Sequence, residues 1–424
     1  MLISGEWVCH ISRFGEEVTV VRLELTLHGD QISGFLKDVQ VRGTFANHTL
    51  SMTATTLDGI EWGTLTAVLE SDKLQGTINR GGATSQWTAW RSLVTPCEAK
   101  VHVFKPSSYP RLFSGGISPV LHVNPGDTIR TSLLDAGGWD YMRRERSRGG
   151  NPQTGPFFVN GSFPGDTLLI KIMRIRINRS AGVSGSQIMP NLLDPSYHQS
   201  RNRSGEVHRE WLLDVESGIG KLASPTERLK AFHVHLRPSL GCVAVAPPAM
   251  QAFSSAWLGA WGGNLDYNRL REGVVISLPI FQEGALLFVG DGHALQCDGE
   301  INGDALEIST DVEFTVNVVK GSTLRGPRFE DDKDLMASGI AGSLQGALQQ
   351  ATTELARWLE HDYKLDQDES QIVLGCLIHY DIAVVVNQQM HVVARVSKAA
   401  LSTIARTNAT SALFPVGSPE ESLP

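Results

Sequence analysis

The feature that most restricts the fold of this chain is a dense series of short apolar runs within its first 94 residues. Apolar and polar residues alternate within each run, and Gly, Asn or Asp separates one run from the next, as in antiparallel strands joined by tight turns. Segments 27–34 and 69–76 repeat the same hairpin pattern. Strands of this length and spacing predict a small antiparallel β-barrel or sandwich. The predicted strands are 18–27, 32–35, 39–45, 50–56, 63–69, 74–79 and 86–91.

Four tryptophans of this segment either form its core or line the mouth of a ligand pocket, and buried aromatic residues dominate small β cores. They are Trp7, Trp62, Trp87 and Trp90. We interpret residues 1–94 as an accessory or oligomerisation domain, and we expect the protein to be a homo-oligomer. Residues 95–115 contain prolines at 96, 106 and 110 and predict a linker.

Residues 116–404 predict a second, larger domain that is mainly β and sandwich-like, with a few helices. The turn sequence Pro-Gly-Asp-Thr occurs at 125–128 and again at 164–167, each time followed by an apolar strand. Repeated turn–strand units of this kind indicate an all-β body. After residue 320, apolar residues recur with helical spacing and predict a helix over 335–361 and a shorter one ending near 378. Residues 405–424 predict a flexible tail.

Composition and charge exclude several classes of partner. The net charge of −8 argues against a nucleic-acid partner. No apolar run approaches the roughly 18 residues that a membrane helix needs, and the N-terminal residues have no signal-peptide pattern. Five scattered cysteines without CxxC spacing indicate a reducing compartment. We therefore expect a cytoplasmic protein that acts on a small molecule and has neither a nucleic-acid nor a membrane partner.

Candidate site residues concentrate in the stretch 284–307. A short apolar run at 285–289 predicts a buried strand that stops at Gly290. The turn that follows is rich in glycine and carries Asp291, His293, Asp298 and Glu300. Glycine lets residues close in sequence converge, and three carboxylates with an imidazole suit a divalent cation. The same residues also fit a polar loop that caps a strand.

This stretch and three others resemble the acetamidase/formamidase family of amide hydrolases. The matching residues, in the family's order, are Asp135-Ala136, 151–161 with 164–166, Gly262-Gly-Asn-Leu-Asp266, and Gly284-Ala-Leu286 with Gly290-Asp-Gly-His-Ala294 and Asp298-Gly-Glu300. The resemblance covers roughly residues 115–400. It implies a metal-dependent hydrolase of a non-peptide carbon–nitrogen (amide) bond, which releases ammonia or an amine by attack of metal-activated water.

The resemblance also implies roles for individual residues. The metal ligands would be Asp135, Asp291, His293 and Glu300. The catalytic residues would be Asp298, Glu300 and Asn264, with Asp298 acting as a general base or merely capping a turn. The substrate-binding residues would be Asn264, Asp266, Trp261, Gly263 and Thr154. One imidazole with several carboxylates suits Zn²⁺, while oxygen-rich variants accept Ca²⁺, Mg²⁺ or Mn²⁺.

Two departures from the family pattern leave alternatives open. Trp261 stands where the family usually has His, and Cys297 stands where it usually has Gly. A catalytically silent amide-binding or sensor protein and an amidase with Cys297 as its nucleophile are therefore alternatives. Glu307 is either a buried partner of the site or a ligand. Arginines at 143, 144, 146 and 148 form either a salt-bridged surface or a rim that attracts an anionic substrate group.

Overall fold

The structure is a computed structural model and describes residues 3–12, 19–37, 39–91, 98–199, 208–321 and 324–407. The first eight strands in these ranges are β1 (Gly5–Ser12), β2 (Thr19–His28), β3 (Gln31–Leu36), β4 (Val39–Ala46), β5 (Thr49–Thr55), β6 (Glu61–Glu70), β7 (Lys73–Arg80) and β8 (Ala83–Arg91). The later strands are β9 (Val101–Val103), β10 (Leu112–Ser114), β11 (Leu121–Val123), β12 (Thr128–Leu133), β13 (Gln153–Val159), β14 (Thr167–Ile177), β15 (Ala181–Gly185), β16 (His208–Asp214), β17 (Ile219–Leu222), β18 (His233–His235), β19 (Ser239–Ala244), β20 (Ala252–Ser254), β21 (Leu258–Gly259), β22 (Gly262–Asn264), β23 (Val275–Pro279), β24 (Leu287–Leu295), β25 (Leu306–Glu307), β26 (Thr310–Val319), β27 (Arg328–Glu330), β28 (Asp334–Ala341), β29 (His379–Val384) and β30 (Met390–Ser397). The helices are α1 (Pro195–Gln199), α2 (Leu344–Tyr363) and α3 (Gln367–Leu377).

Strands β1 to β8 form a closed antiparallel barrel, because β1 pairs with both β2 and β8. All seven strands predicted from the alternating runs are present as β2 to β8. The strand that sequence reasoning missed is β1, where Trp7, Val8 and Cys9 are buried in succession and hide the alternation. Trp7 and Trp87 lie in the barrel core, which confirms the core interpretation for these two tryptophans.

Two large sheets form most of the remaining structure and face each other across one apolar core. The eleven-stranded sheet contributes Phe157, Val243 and Leu287 to this core. The nine-stranded sheet contributes residues of β14, β23 and β26. Face-to-face packing of two sheets around interdigitating side chains is a sandwich arrangement. The predicted fold class, mainly β with a small barrel before a sandwich-like body, is confirmed.

Helix α2 covers the outer face of the nine-stranded sheet, and its first predicted turns are in fact strand β28. Leu335 of β28 packs beneath α2 whereas Met336 faces the sandwich core, so both faces of this strand are apolar. Burial on both faces produced the run of apolar residues that resembled a helix. A Cβ at Gly339 would lie 1.8 Å from the backbone oxygen of Ala347, so the glycine allows α2 to lie directly against β28.

The predicted linker 95–115 is in large part integrated into the body. Strand β9 pairs in parallel with β12, and β10 pairs with β20, so the described residues of this segment contribute strands. Trp90 of the barrel stacks on Phe163 of the body, with ring centroids 6.1 Å apart. Residues 95–97 and residues 408–424 of the predicted tail lie outside the described residues. The division of the chain into domains stays a prediction. None of the helices in the described ranges is long and apolar enough to cross a membrane.

Candidate active site

Strand β24 is the centre of the candidate site, and it continues past Gly290, where the sequence predicted a turn. The glycines in it serve close packing instead. A Cβ at Gly290 would lie 2.7 Å from the side chain of Gln153, and one at Gly292 would lie 2.6 Å from the backbone oxygen of Ile308. Asp291 and His293 are therefore held two residues apart on a buried strand that pairs with β19 on one side and β25 on the other.

His293 is surrounded by buried carboxylates. Its Nε2 atom lies 3.5 Å from Asp291 Oδ1 and 3.5 Å from Glu307 Oε1. Its Nδ1 atom lies 3.1 Å from Gln296 Oε1, and the Gln296 Nε2 atom donates to the backbone oxygen of Asp266 at 2.5 Å. Because an amide oxygen only accepts hydrogen bonds, Nδ1 carries a proton. Nε2 is the nitrogen that faces the carboxylates, and it is the atom that would bind a cation once its own proton is lost.

Two groups of possible ligands share His293. One group is Asp266, His293 and Glu300, and the other is Asp291, His293 and Glu307. Within each group, one ligand atom from every residue lies within 4.8 Å of the others. Four buried atoms of these two groups have no hydrogen-bond partner among the described residues: Asp266 Oδ1, Asp291 Oδ1, His293 Nε2 and Glu307 Oε2. Unpartnered buried polar atoms are rare in folded proteins, and these four converge around one imidazole.

The pKa values show a site that is short of positive charge. Burial raises the pKa of Glu300 and of Glu307 well above the usual range, and neighbouring carboxylates add to both shifts. Burial and the charge of Asp291 raise the pKa of Asp266 to about 7. Burial acts to lower the pKa of His293, but the charge of Asp291 outweighs it and the pKa rises to about 10. Burial also acts to raise the pKa of Asp291, but the neighbouring His293 has the opposite effect, so that the pKa of Asp291 is lowered.

Two residues to which the resemblance assigned roles lie outside these groups. Asp135 Oδ2 forms an ion pair with Arg179 Nη2 at 2.5 Å, and its Oδ1 accepts a hydrogen bond from the backbone N–H of Trp139. Asp298 is exposed and accepts a hydrogen bond from Asn268 Nδ2 at 2.8 Å. Both carboxylates are therefore already engaged by protein donors. Asp266, predicted as a substrate contact, and Glu307, left open, take part in the groups instead.

The predicted substrate-binding residues are only partly brought together. Asn264 borders the carboxylates: its Nδ2 donates to Asp266 Oδ2 at 2.5 Å, and its Oδ1 accepts from Asn151 Nδ2 at 2.6 Å. Gly263, the residue before it, has φ of 112° and leaves no room for a Cβ beside the backbone of Trp257. Thr154 is buried, and its hydroxyl lies 3.4 Å from the backbone oxygen of Ser132.

Trp261 packs against another aromatic residue. Its ring stacks on Phe253 with centroids 4.4 Å apart and borders a cavity of about 640 Å³ beside α2. This indole therefore packs where the family resemblance predicted a substrate contact. Its role in substrate binding stays a prediction.

Sequence reasoning did not assign three residues that touch the site. Asn151 donates to Asp291 Oδ2 at 3.2 Å, and Cys242 Sγ lies 2.9 Å from Asn264 Oδ1. Gln296 orients His293, and its position three residues after the histidine was the one available signal. Cys242 gave no sequence signal, because it reaches the site through the pairing of β19 with β24. Burial and then the charge of Asp291 raise the pKa of the Cys242 thiol, so it is a neutral group.

The arginines at 143–148 were predicted to form either a salt-bridged surface or an anion-attracting rim. Arg143 pairs with Glu210 at 2.8 Å, and Arg146 pairs with Asp140 at 3.4 Å. The salt-bridged interpretation holds for these two residues.

Comparison with known proteins gives consistent results. The profile of the acetamidase/formamidase family matches residues 197–334. A 61-residue segment is 43% identical to part of an acetamidase of Mycolicibacterium smegmatis. The match covers 14% of this chain and only 15% of that protein's length. A crystal structure of a predicted acetamidase/formamidase from Thermoanaerobacter tengcongensis has 25% identity and a TM-score of 0.60, covering 72% of this chain and 98% of that one. An acetamidase from Yersinia enterocolitica has 25% identity and a TM-score of 0.62, with 72% and 94% covered.

Proposed function

We propose that this chain, which is similar to the acetamidase/formamidase family, is an amidohydrolase that cleaves the carbon–nitrogen bond of a small linear amide and releases ammonia or an amine. An amide is resonance-stabilised and has a poor leaving group, so its hydrolysis needs an activated nucleophile and stabilisation of the developing negative charge on the carbonyl oxygen. Any site proposed for this reaction must supply both.

One observation carries the proposal: buried polar atoms around His293 converge without protein partners. Three carboxylate oxygens and one imidazole nitrogen form a donor set that a divalent cation would satisfy. Either group could hold such an ion with His293: Asp291 and Glu307, or Asp266 and Glu300. When bound, it supplies Lewis-acid polarisation of the amide carbonyl and lowers the pKa of a water molecule to about 7.

The mixture of ligand types favours Zn²⁺, which binds both imidazole nitrogen and carboxylate oxygen. Ca²⁺, Mg²⁺ and Mn²⁺ prefer oxygen ligands and would use mainly the four carboxylates of the two groups. Metal content therefore distinguishes these possibilities.

The chain's own residues supply positioning and proton transfer. Gln296 holds His293 in one tautomer, so that Nε2 faces the carboxylates. Asn264 uses one amide N–H on Asp266, and its second N–H remains to bind a substrate carbonyl oxygen. Buried Asp266 and Glu300 are better placed for proton transfer than Asp298, which lies at the surface beside Asn268. The burial of the whole group keeps bulk water away from these charges.

The alternative with Cys297 as nucleophile has little geometric support. Cys297 is exposed. Nucleophilic cysteines need a base within hydrogen-bond reach, and none of the described residues forms a hydrogen bond with this thiol. The buried His293 directs its ring nitrogens to Gln296 and to carboxylates instead. A silent amide-binding protein would not need so many buried carboxylates.

The test combines metal analysis with ammonia release across a panel of linear amides. Purified wild-type protein is expected to hold a divalent metal and to release ammonia, and Glu307→Gln is expected to lose both. Glu313→Gln is the matched control, because Glu313 pairs with Arg130 outside the site. Protein that is folded, free of metal after purification without chelators, and still active on amides would contradict the metal part of the proposal. Metal-replete protein that hydrolyses no amide would contradict the activity.

Two further expectations from the sequence stay predictions. One is the reducing cytoplasmic setting, and the four cysteines within the described ranges are all free thiols. The other is the homo-oligomer.

A further inference from the structure

A depression of about 260 Å³ lies beside the buried carboxylate site and is lined by arginines. Four guanidinium groups and two carboxylates contribute to its wall, together with two side-chain amides. The residues are Arg237, Arg269, Arg271, Arg395, Asp298, Asp381, Asn268 and Gln296. Ligand pockets for whole drug-sized molecules are larger, about 300–1,000 Å³. The depression therefore suits one charged group of a ligand.

Two of the four arginines have their charge balanced by the protein. Arg269 donates to Asp331 at 2.8 Å and to Asp334 at 2.6 Å. Arg395 pairs with Asp381 at 3.1 Å. These pairs account for the acidic side chains around Arg269 and Arg395.

Arg237 and Arg271 have no such partner. Among the described residues, no carboxylate lies within 4.0 Å of either guanidinium, and neither side chain forms a hydrogen bond. Arg271 is half-buried. Burial, together with the charges of Arg237 and Arg269, lowers the pKa of Arg271. An anion between these guanidinium groups would relieve their mutual repulsion.

The backbones of both arginines are fixed close to the candidate site. The backbone N–H of Arg237 donates to the oxygen of Ala294, the residue after His293. Leu270, the residue before Arg271, accepts a hydrogen bond from the N–H of Leu240. Gln296 lines the depression and also binds His293. The Gln296 side chain therefore lies between the depression and the His293 ring.

We propose that this depression binds one anionic group, a carboxylate or a phosphate, of a small ligand through Arg237 and Arg271. The planar fork of a guanidinium matches both groups with two parallel hydrogen bonds. The anion has two possible sources, the charged end of an amide substrate or a free anion that binds beside the site. The first source rests on the proposed amidohydrolase function, and the second does not.

The binding test uses inorganic phosphate and isothermal titration calorimetry on the full-length protein. Arg271→Gln and Arg237→Gln are each expected to weaken phosphate binding about tenfold or more, because each removes a charge-assisted pair of hydrogen bonds. Arg143→Gln is the matched control, since this exposed arginine is already paired with Glu210. Asp298→Asn should have the opposite effect and tighten phosphate binding, because it removes a negative charge from the wall.

The substrate test compares succinamate, an amide with a carboxylate end, with butanamide, which is neutral. If the anion is part of the substrate, Arg271→Gln raises KM for succinamate about tenfold and leaves kcat/KM for butanamide unchanged. If the anion is a free ion, phosphate binding depends on the arginines, and Arg271→Gln changes the kinetic constants of succinamate and butanamide to the same extent. Phosphate binding and succinamate KM that are both indifferent to Arg237 and Arg271 would overturn the proposal. Failure of every amide to react would count against the amidohydrolase function alone, because the phosphate titration stands without it.

Discussion

The barrel and the sandwich are both antiparallel β structures, yet they bury different kinds of side chain. Within the described part of the barrel, Ser85 is the one buried polar residue, and the core consists of side chains such as Trp7, Leu65 and Trp87. The sandwich body instead buries an imidazole with several carboxylates. An apolar core is stable by itself, whereas buried carboxylates cost free energy unless they are paired, protonated or bound to a cation. The comparison predicts that the body depends on a ligand and that the barrel does not.

The largest expected effect is on catalysis in the body. His293→Ala removes the residue that both ligand groups share, so amide hydrolysis should fall about 10³-fold or more, in line with the several kcal/mol that a catalytic cation contributes. Ammonia release and bound metal are measured together. His233→Ala is the control, because that histidine is exposed on β18. A His293→Ala protein that keeps its metal and its full activity would show that the active site does not include His293.

Metal removal should destabilise the sandwich body and leave the stability of the barrel unchanged. A cation at about 1,000 times its dissociation constant stabilises a fold by about 4 kcal/mol, and a chelator removes this contribution. Hydrogen exchange should then accelerate in β19, β24 and β25 and stay unchanged in β1 to β8. Restoring the metal should restore protection in the same strands. Equal acceleration in barrel and body would contradict the proposed difference between them.

A core substitution in the barrel should show the converse behaviour. Leu65 is fully buried, so Leu65→Ala is expected to cost about 3 kcal/mol of barrel stability from lost burial and the cavity left behind. Amide hydrolysis at a temperature where the protein stays folded should not change. Val68→Ala on the same strand is the control, because Val68 is 45% exposed. Loss of activity in folded Leu65→Ala protein would show that the barrel core influences the site.

Smaller effects are expected at the exposed residues beside the site. Asp298→Asn and Cys297→Gly should each retain kcat/KM for a neutral amide within about tenfold, or about 1.4 kcal/mol. Neither side chain belongs to the buried groups, and both are exposed. Steady-state kinetics with chelator controls provide the measurement. A folded, metal-replete Cys297→Gly protein without activity would instead support thiol chemistry.

The smallest effect concerns the contact between the two regions. Deletion of residues 1–97 removes the Trp90–Phe163 stack, which is worth about 1 kcal/mol beyond buried area. The remaining body should stay folded by circular dichroism and continue to hydrolyse amides. If it is recovered only as aggregate, the barrel and the body form one folding unit and the predicted division near residue 95 is wrong.

Prediction from sequence succeeded where structure depends on neighbours along the chain. The alternation in β2 to β8 is visible because each strand has one face on the barrel core. It failed for β1 and β28, where apolar residues follow one another because both faces of the strand are covered. It also failed at Gly290, since a glycine needed for close packing against Gln153 looks the same in sequence as a glycine in a turn.

The sequence by itself determined the mainly β class, the barrel strands β2 to β8 and the chemistry available around His293. Local alternation and motif order carry that information without any knowledge of contacts. Only the tertiary structure decided which carboxylates meet. Pairing of β24 with β25 brings Glu307 to His293, whereas Asp135 forms an ion pair with Arg179 and belongs to neither ligand group. Such neighbours are set by strand register between distant segments, and a one-residue change of register would turn each side chain to the opposite face.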